Sequence, residues 1–144
     1  MALRWLGRRD YGCCELARKL TQRGVSDELA ERVVERLAEA GLVSDLRFAE
    51  VFTRQRAERL QGPLRIRAEL QSRGIGGEDI DHALAQFDGA WGSRAREWAL
   101  RRFRGELDRR ERARLYRAGR QRGFSHDQVM GAIDHLHSLE GRDD

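Results

Sequence analysis

Apolar residues recur along this chain at intervals of three and four, with no period-two alternation of β-branched residues, so helices are predicted throughout. The helical stretches also repeat one another. The tripeptide Arg-Gly-apolar occurs as Arg23-Gly24-Val25, Arg73-Gly74-Ile75 and Arg122-Gly123-Phe124, at separations of 50 and 49 residues. Aligned on it, Leu16, Ile66 and Leu115 occupy equivalent positions before the tripeptide. After it come Ala30, Ile80 and Val129, then Val34, Leu84 and Ile133, then Leu37, Phe87 and Leu136. A matched apolar pattern at a long fixed period marks tandem helical repeats. The expected fold class is all-α, with three-helix repeats over residues 1–43, 44–89 and 90–144. Units this small bury little core alone, so neighbouring repeats must supply part of the stability.

Local signals place the helices. In the first repeat they are expected over 2–9, 13–23 and 27–40, with Gly24 as the C′ residue of the second, Ser26 capping the third and Gly41 closing it. The first helix is the weakest element, because so short a helix is marginal unaided. Ser44 can cap a helix running to about Leu60, with Phe48, Ala49, Phe52 and Ala57 near one face. Gly62-Pro63 starts the next, with proline at N1 where its missing N–H costs nothing. That helix packs through Ile66 and Leu70 and stops at Gly74. Another runs from Gly77 to Phe87, and Asp88-Gly89 is a turn. Trp91, Ala95, Trp98, Ala99 and Phe103 follow helical spacing and predict a buried stripe. Asp108 heads a helix through Leu115 and Tyr116 to Arg122, and Ser125-His126-Asp127-Gln128 fits a capping box.

Composition adds shape and charge. A 36% charged fraction with only 7% aromatic residues points to an elongated, much-solvated chain. The net charge of +4 is unevenly spread. Residues 1–43 carry 8 basic and 7 acidic groups, and residues 44–87 carry 7 of each. Residues 88–122 carry 12 basic against 5 acidic, whereas 123–144 hold only Arg142 against 5 acids. A basic block followed by an acidic tail suits binding to a polyanion. Lys19 is the only lysine, and arginine offers a planar fork matched to phosphate and carboxylate.

Catalytic chemistry finds little support. Adjacent Cys13 and Cys14 cannot build a disulfide framework. Cys13 shares a helical face with Leu16, Ala17 and Leu20, as a small buried apolar residue would. His82, His126, His135 and His137 lack metal-ligand spacing, and Gly74-Ile75-Gly76-Gly77 lacks the preceding strand and lysine of a P-loop. No cofactor, metal or enzymatic activity is expected. No apolar run approaches the roughly 18 residues of a membrane span, and the opening Met1-Ala2-Leu3-Arg4-Trp5-Leu6 is too short for a secretion signal. A cytoplasmic monomer is expected.

The segment Asp45-Leu46-Arg47-Phe48-Ala49-Glu50, with Gly62-Pro63-Leu64-Arg65-Ile66-Arg67-Ala68-Glu69-Leu70 and Arg73-Gly74-Ile75, resembles the central signature of the RecX family, bacterial modulators of the RecA recombinase. Arg8-Arg9-Asp10-Tyr11, Glu15-Leu16, Lys19-Leu20 and Arg23-Gly24 resemble that family's opening motif, and Arg122-Gly123-Phe124-Ser125 with Asp127 matches more loosely. Three departures stand out. Gly12 replaces the usual capping serine, Leu60 replaces the first glycine of a Gly-x-Gly-Pro approach, and relatives often carry extra residues before the first helix.

The resemblance implies a curved array lying in the groove of a RecA–DNA filament, limiting filament growth, ATP hydrolysis and strand exchange. Arginines would steer docking onto so anionic a partner and release counterions. Arg47 and Arg54 fall opposite the Phe48/Phe52 face, and Arg65 and Arg67 flank Ile66. Arg94, Arg101 and Arg104 fall off the tryptophan stripe, and Arg114 and Arg117 are read as outward. These nine are the candidate contacts to filament carboxylates or to the phosphates of single- or double-stranded DNA, the latter weak and non-specific. Two other readings remain open: a non-sequence-specific nucleic-acid binder acting without the recombinase, and a helical adaptor for an unrelated acidic protein.

Overall fold

The computed structural model describes residues 1–141; Arg142, Asp143 and Asp144, at the end of the acidic tail, lie outside the described residues. Among the described residues there are nine α-helices and no strand: α1 (Ala2–Leu6), α2 (Cys13–Gln22), α3 (Asp27–Glu39), α4 (Asp45–Glu58), α5 (Pro63–Ser72), α6 (Gly77–Ala85), α7 (Trp91–Arg102), α8 (Arg109–Arg122) and α9 (His126–Gly141). Most begin where the pattern places them. The exception in length is α1, which stops at Leu6 and is anchored by buried Ala2 and Trp5.

The repeated tripeptide closes three helices in one way. Gly24, Gly74 and Gly123 have φ of +94°, +82° and +102°, a left-handed conformation open to glycine at low cost. The N–H groups of Val25, Ile75 and Phe124 reach back to the carbonyls of Leu20, Leu70 and Gly119, each at 3.1 Å. The glycine N–H groups bond to Thr21, Gln71 and Arg120. This two-bond pattern is the Schellman closure, which satisfies carbonyls that a helix end leaves open. Three residues beyond each glycine the next helix begins, and Ala30, Ile80 and Val129 donate to the carbonyls of the residues just before it, Ser26, Gly76 and Ser125. Leu16, Ile66 and Leu115, aligned by sequence alone, are all fully buried. The caps form as expected: Ser26 Oγ accepts from Leu29 N, Ser44 Oγ from Arg47 N, and Asp108 Oδ1 from Glu111 N. Ser125 and Gln128 make the reciprocal capping box at 3.1 and 2.8 Å.

The closures also join consecutive repeats. α2 and α5 each follow a glycine, Gly12 or Gly62, that has no side chain with which to cap. Their first N–H groups find acceptors in the following repeat instead. Cys13 N donates to Asp45 Oδ1 at 2.7 Å, while Gly62 N and Leu64 N donate to the carbonyls of Arg122 and Gly123, both at 2.9 Å. The acceptor that a capping hydroxyl would supply at Gly12 thus comes from an aspartate of α4. Backbone approach is close enough to require glycine. A Cβ on Gly62 would sit 2.2 Å from the Gly123 carbonyl carbon, one on Gly123 would sit 2.4 Å from Arg65 Cβ, and one on Gly74 would sit 2.8 Å from Cys14 Sγ.

The chain divides into two compact units, residues 1–53 with 69–86, and residues 54–68 with 87 onward. In the first, α2 packs on α3 around Trp5, Tyr11, Leu16, Leu20, Ala30 and Val34. In the second, α7, α8 and α9 pack together around Trp98, Leu107, Leu115, Phe124, Val129 and Ile133. Leu60 belongs to this second core and is 5% exposed, yet its φ is +61°. It stands at the left-handed position of a further Schellman closure, in which Gln61 N donates to Arg56 O. A left-handed non-glycine residue costs about 1–2 kcal/mol, and burying a leucine offsets it by roughly 2 kcal/mol. The loop is therefore held, without a glycine at Leu60, in the conformation that glycine would favour.

Gly62→Ala should destabilise the protein by about 3 kcal/mol, through forced separation of two backbones. Gly131→Ala, inside α9 with open space around its Cβ, should stabilise it by about 0.5–1 kcal/mol. Urea unfolding of both variants, followed by far-ultraviolet circular dichroism, measures the contrast; equal effects would contradict the close backbone approach.

Candidate functional site

The second unit holds eight of the nine candidate arginines, and they divide by what surrounds them. Arg101, Arg104 and Arg117 are exposed on or just beyond α7 and on α8. Arg101 pairs with Glu97 one turn earlier at 2.7 Å, but its side chain is 68% exposed, so water and salt screen the pair. Arg54 on α4 and Arg65 on α5 are also exposed, while Arg67 is half-buried.

Arg94 and Arg114, which helical spacing reads as off the tryptophan stripe and outward, are half-buried and engaged with groups of the protein itself. Arg94 donates to the Ala57 carbonyl at 3.0 Å and lies 4.7 Å from the Phe87 ring centroid. Arg114 forks onto Glu111 through Nε and Nη2 and also donates to the Arg102 carbonyl. Both guanidiniums are drawn in because the α4 and α7 ends expose carbonyls that need donors. In the first unit, Arg47 pairs with Asp10 at 2.9 Å and reaches the Gly41 carbonyl.

A basic cluster in the first unit is not evident from the sequence. Arg9, Arg18, Lys19 and Arg23 line a shallow cleft with Tyr11 and Glu15. Lys19 Nζ donates to Tyr11 Oη at 2.9 Å and lies 4.4 Å from the Trp5 ring centroid, while Arg9 covers the Tyr11 ring at 3.7 Å. Cations over aromatic faces are favoured by the ring quadrupole. The hydrogen bond from Lys19, and the nearby Arg9 charge, pull the Tyr11 hydroxyl below its ordinary range against the opposing effect of burial. Residues 1–43 are nearly neutral as a segment, so charge counting along the chain hides this cluster. The spacing of Arg9, Tyr11, Lys19 and Arg23 is the signal that could have found it.

The same tripeptide arginine serves three ends. Arg23 lies 5.8 Å from the Trp5 ring. Arg73 lies 5.1 Å from the Phe52 ring and 3.6 Å from the Glu15 carboxylate. Arg122 is half-buried and donates to the carbonyls of Leu60 and Arg59, clamping the left-handed turn.

The remaining polar groups do not converge on a reaction centre. Burial, then the Asp45 carboxylate, pushes the Cys13 thiol up to about 11, so it stays protonated and a poor nucleophile at neutral pH. Tyr116 Oη meets His126 Nδ1 at 2.9 Å, and Arg112 meets His137 Nδ1 at 3.2 Å. No group of three or more potential metal ligands occurs among the described residues, and none of their helices is long and apolar enough to cross a membrane.

Comparison with known proteins places this arrangement. Residues 1–37 match the first three-helix domain of RecX and residues 44–84 match the second. A protein of Pseudomonas putida named Regulatory protein RecX is 46% identical over 144 residues, covering 99% of this chain and 88% of its own. One of the same name from Halorhodospira halophila is 45% identical over 133 residues, covering 91% of this chain and 83% of its own. A crystal structure of regulatory protein RecX superposes with a TM-score of 0.82 at 28% identity, over 92% of this chain and 68% of that one. RecX from Lactobacillus salivarius shares the fold, with a TM-score of 0.83 at 21% identity over 94% and 92% of the two chains.

The loop between α7 and α8 depends on one buried carboxylate. Glu111 accepts from Arg114 and from the Arg104 backbone N–H at 2.7 Å, and the Arg114 contact, ahead of the backbone bond, holds its carboxyl below the ordinary range despite burial. A carboxyl depressed in the folded state stabilises fully above its unfolded value of about 4.3, and that stabilisation drains as pH falls through the folded value. Glu111→Gln should therefore lower the urea midpoint at pH 7, and the gap from the parent should narrow on acidification to about pH 3. A gap independent of pH would contradict the charged pairing.

Proposed function

Because the chain belongs to the RecX family of regulatory proteins, we propose that it binds the RecA–DNA filament and restrains filament extension, ATP hydrolysis and strand exchange. It is a regulator and not an enzyme. The observation that carries the reading is relatedness along almost the whole chain to proteins named Regulatory protein RecX. The charge distribution supports it: the basic block at 88–122 sits on α7, α8 and the loop between them, and exposed arginine on rigid helices suits an anionic filament. In this reading Arg54, Arg65, Arg101, Arg104 and Arg117 meet the filament, with Arg47 and Arg67 at half-committed positions. Arg94 and Arg114 contribute through the loops they hold. The chain acts as a monomer, from the cytoplasm, and needs no cofactor.

The test is ATP hydrolysis by the cognate RecA on single-stranded DNA while this protein is titrated in at physiological salt. Inhibition well below one molecule per RecA protomer is expected, as end-capping or groove-blocking requires. Inhibition only at levels that coat the DNA would indicate simple competition, and no effect would overturn the reading. Arg104→Glu combined with Arg117→Glu should raise the half-inhibitory concentration about tenfold, equivalent to about 1.4 kcal/mol; an unchanged value would remove the α7–α8 surface from the interface.

A further inference from the structure

Within the second unit, the loop between α7 and α8 carries arginine at both of its ends. Arg102 and Arg104 lie on one side, and Arg109 and Arg110 open the first turn of α8. All four are exposed, and among the described residues none of their guanidiniums has an ion pair or hydrogen bond. The backbone between them is held at several points. Arg104 N donates to Glu111 Oε2 at 2.7 Å, Leu107 N to Glu140 Oε1 at 3.2 Å, and Arg114 to the Arg102 carbonyl at 2.7 Å. Because Glu111 belongs to the first turn of α8, its bond to Arg104 N brings the two ends of the loop together. Two nearby carboxylates are committed elsewhere, Asp108 as the cap of α8 and Glu111 to Arg114 and Arg104 N. Exposed Glu106 is the remaining one in the loop.

Three of these charges oppose the polarity of the helices that carry them. The positive end of α8 disfavours Arg109 and Arg110 at its first two positions, and the negative end of α9 disfavours the carboxylate of Glu140 in its last turn. For Glu140 the fold supplies a local reason, the bond to Leu107 N. Leu107 is 8% exposed and belongs to the core, so its part-buried amide would be left without an acceptor if that carboxylate were absent. Arg109 and Arg110 have no such reason within the fold. Residues that break a local rule with no compensating gain in the folded chain mark places where function sets the choice.

We propose that Glu140 is a positioning residue for filament binding: its bond to Leu107 N fixes the loop so that Arg102, Arg104, Arg109 and Arg110 form one preordered cationic edge. The proposal rests on the filament reading. It adds Arg102, Arg109 and Arg110 to the candidate contacts, and Glu140 as the residue that acts through them. A loop ordered beforehand loses little entropy on docking, whereas a released one must be ordered at that moment.

The experiment uses the full chain. Glu140→Ala and Glu140→Gln remove the same negative charge, but only glutamine keeps an acceptor oxygen. Hydrogen exchange of the Leu107 amide, followed by nuclear magnetic resonance, should quicken about tenfold in Glu140→Ala and stay near the parent rate in Glu140→Gln. In the RecA ATP-hydrolysis assay on single-stranded DNA, Glu140→Ala should raise the half-inhibitory concentration about fivefold, while Glu140→Gln should match the parent. General charge attraction predicts the opposite direction for both, since each makes the chain more positive. Arg109→Ala combined with Arg110→Ala should raise the urea midpoint, by relieving the helix dipole, yet raise the half-inhibitory concentration about tenfold. Unchanged Leu107 exchange in Glu140→Ala, equal inhibition by the two Glu140 variants, or unchanged inhibition by the double arginine variant would overturn the proposal. A parent that never slows ATP hydrolysis ends the filament reading, and the edge is then judged by anisotropy of a fluorescein-labelled oligo-dT. Weaker oligo-dT binding in Glu140→Ala but not in Glu140→Gln sustains the positioning role; any other pattern, including no binding by the parent, overturns it.

Discussion

Two backbones meet at Gly62 and Gly123 with no room for a side chain on either, and the second unit is organised by that approach. Gly62 starts α5 without a cap of its own, while Gly123 ends α8 in a left-handed turn. Each supplies what the other lacks, since the carbonyls of the closing turn accept the N–H groups of the opening helix. A buried helix start without such partners would leave orphan donors. Arg122 then reaches past this meeting point to hold the carbonyls of Arg59 and Leu60. That clamp sits where Leu60 is itself bent into the left-handed region so that its side chain can enter the core. Gly12 and Gly74 occupy the matching positions in the first unit, with Cys14 against Gly74 and Asp45 accepting from the helix start.

Backbone motifs are legible in the sequence because they depend on neighbours a few residues apart. The Arg-Gly-apolar spacing predicts three closures, and Ser26, Ser44, Asp108 and the Ser125/Gln128 box predict four helix starts. The aligned apolar positions identify the core residues Leu16, Ile66 and Leu115. Side-chain destinations are less legible. Arg23, Arg73 and Arg122 are equivalent in sequence, yet one lies near a tryptophan, one beside phenylalanine and glutamate, and one on backbone carbonyls. An arginine is long enough to choose among partners that only the tertiary fold brings close. Arg94 and Arg114 find partners within the protein for the same reason, because helical spacing gives a side chain's face but not the acceptors within its reach. Leu60 stands out as a departure from the family pattern, but its left-handed geometry follows from burial, which local propensity does not report.

Charge separates structural from functional roles in a comparable way. The cluster of Arg9, Lys19 and Arg23 stacks on Trp5 and Tyr11 and anchors the short α1, which is too brief to persist through its own hydrogen bonds. On α7 and α8, by contrast, arginines outnumber the acids that could neutralise them. Arg94 and Arg114 hold loops, Arg101 pairs with an acid one turn away, and Arg104 and Arg117 are exposed. Surface cations spread in this manner contribute little to stability but raise the rate and strength of encounters with an anionic polymer.

The proposed function requires the nucleoprotein filament, and not free DNA, to be the preferred target. The most direct measurement is the dissociation constant for a RecA–single-stranded-DNA filament stabilised by a non-hydrolysable nucleotide, against that for the same DNA without RecA, at one physiological salt concentration. Binding to the filament at least tenfold tighter, a difference of about 1.4 kcal/mol, is the expected result. Equal affinities, or tighter binding to bare DNA, would contradict the account and leave a DNA-binding protein that acts without the recombinase.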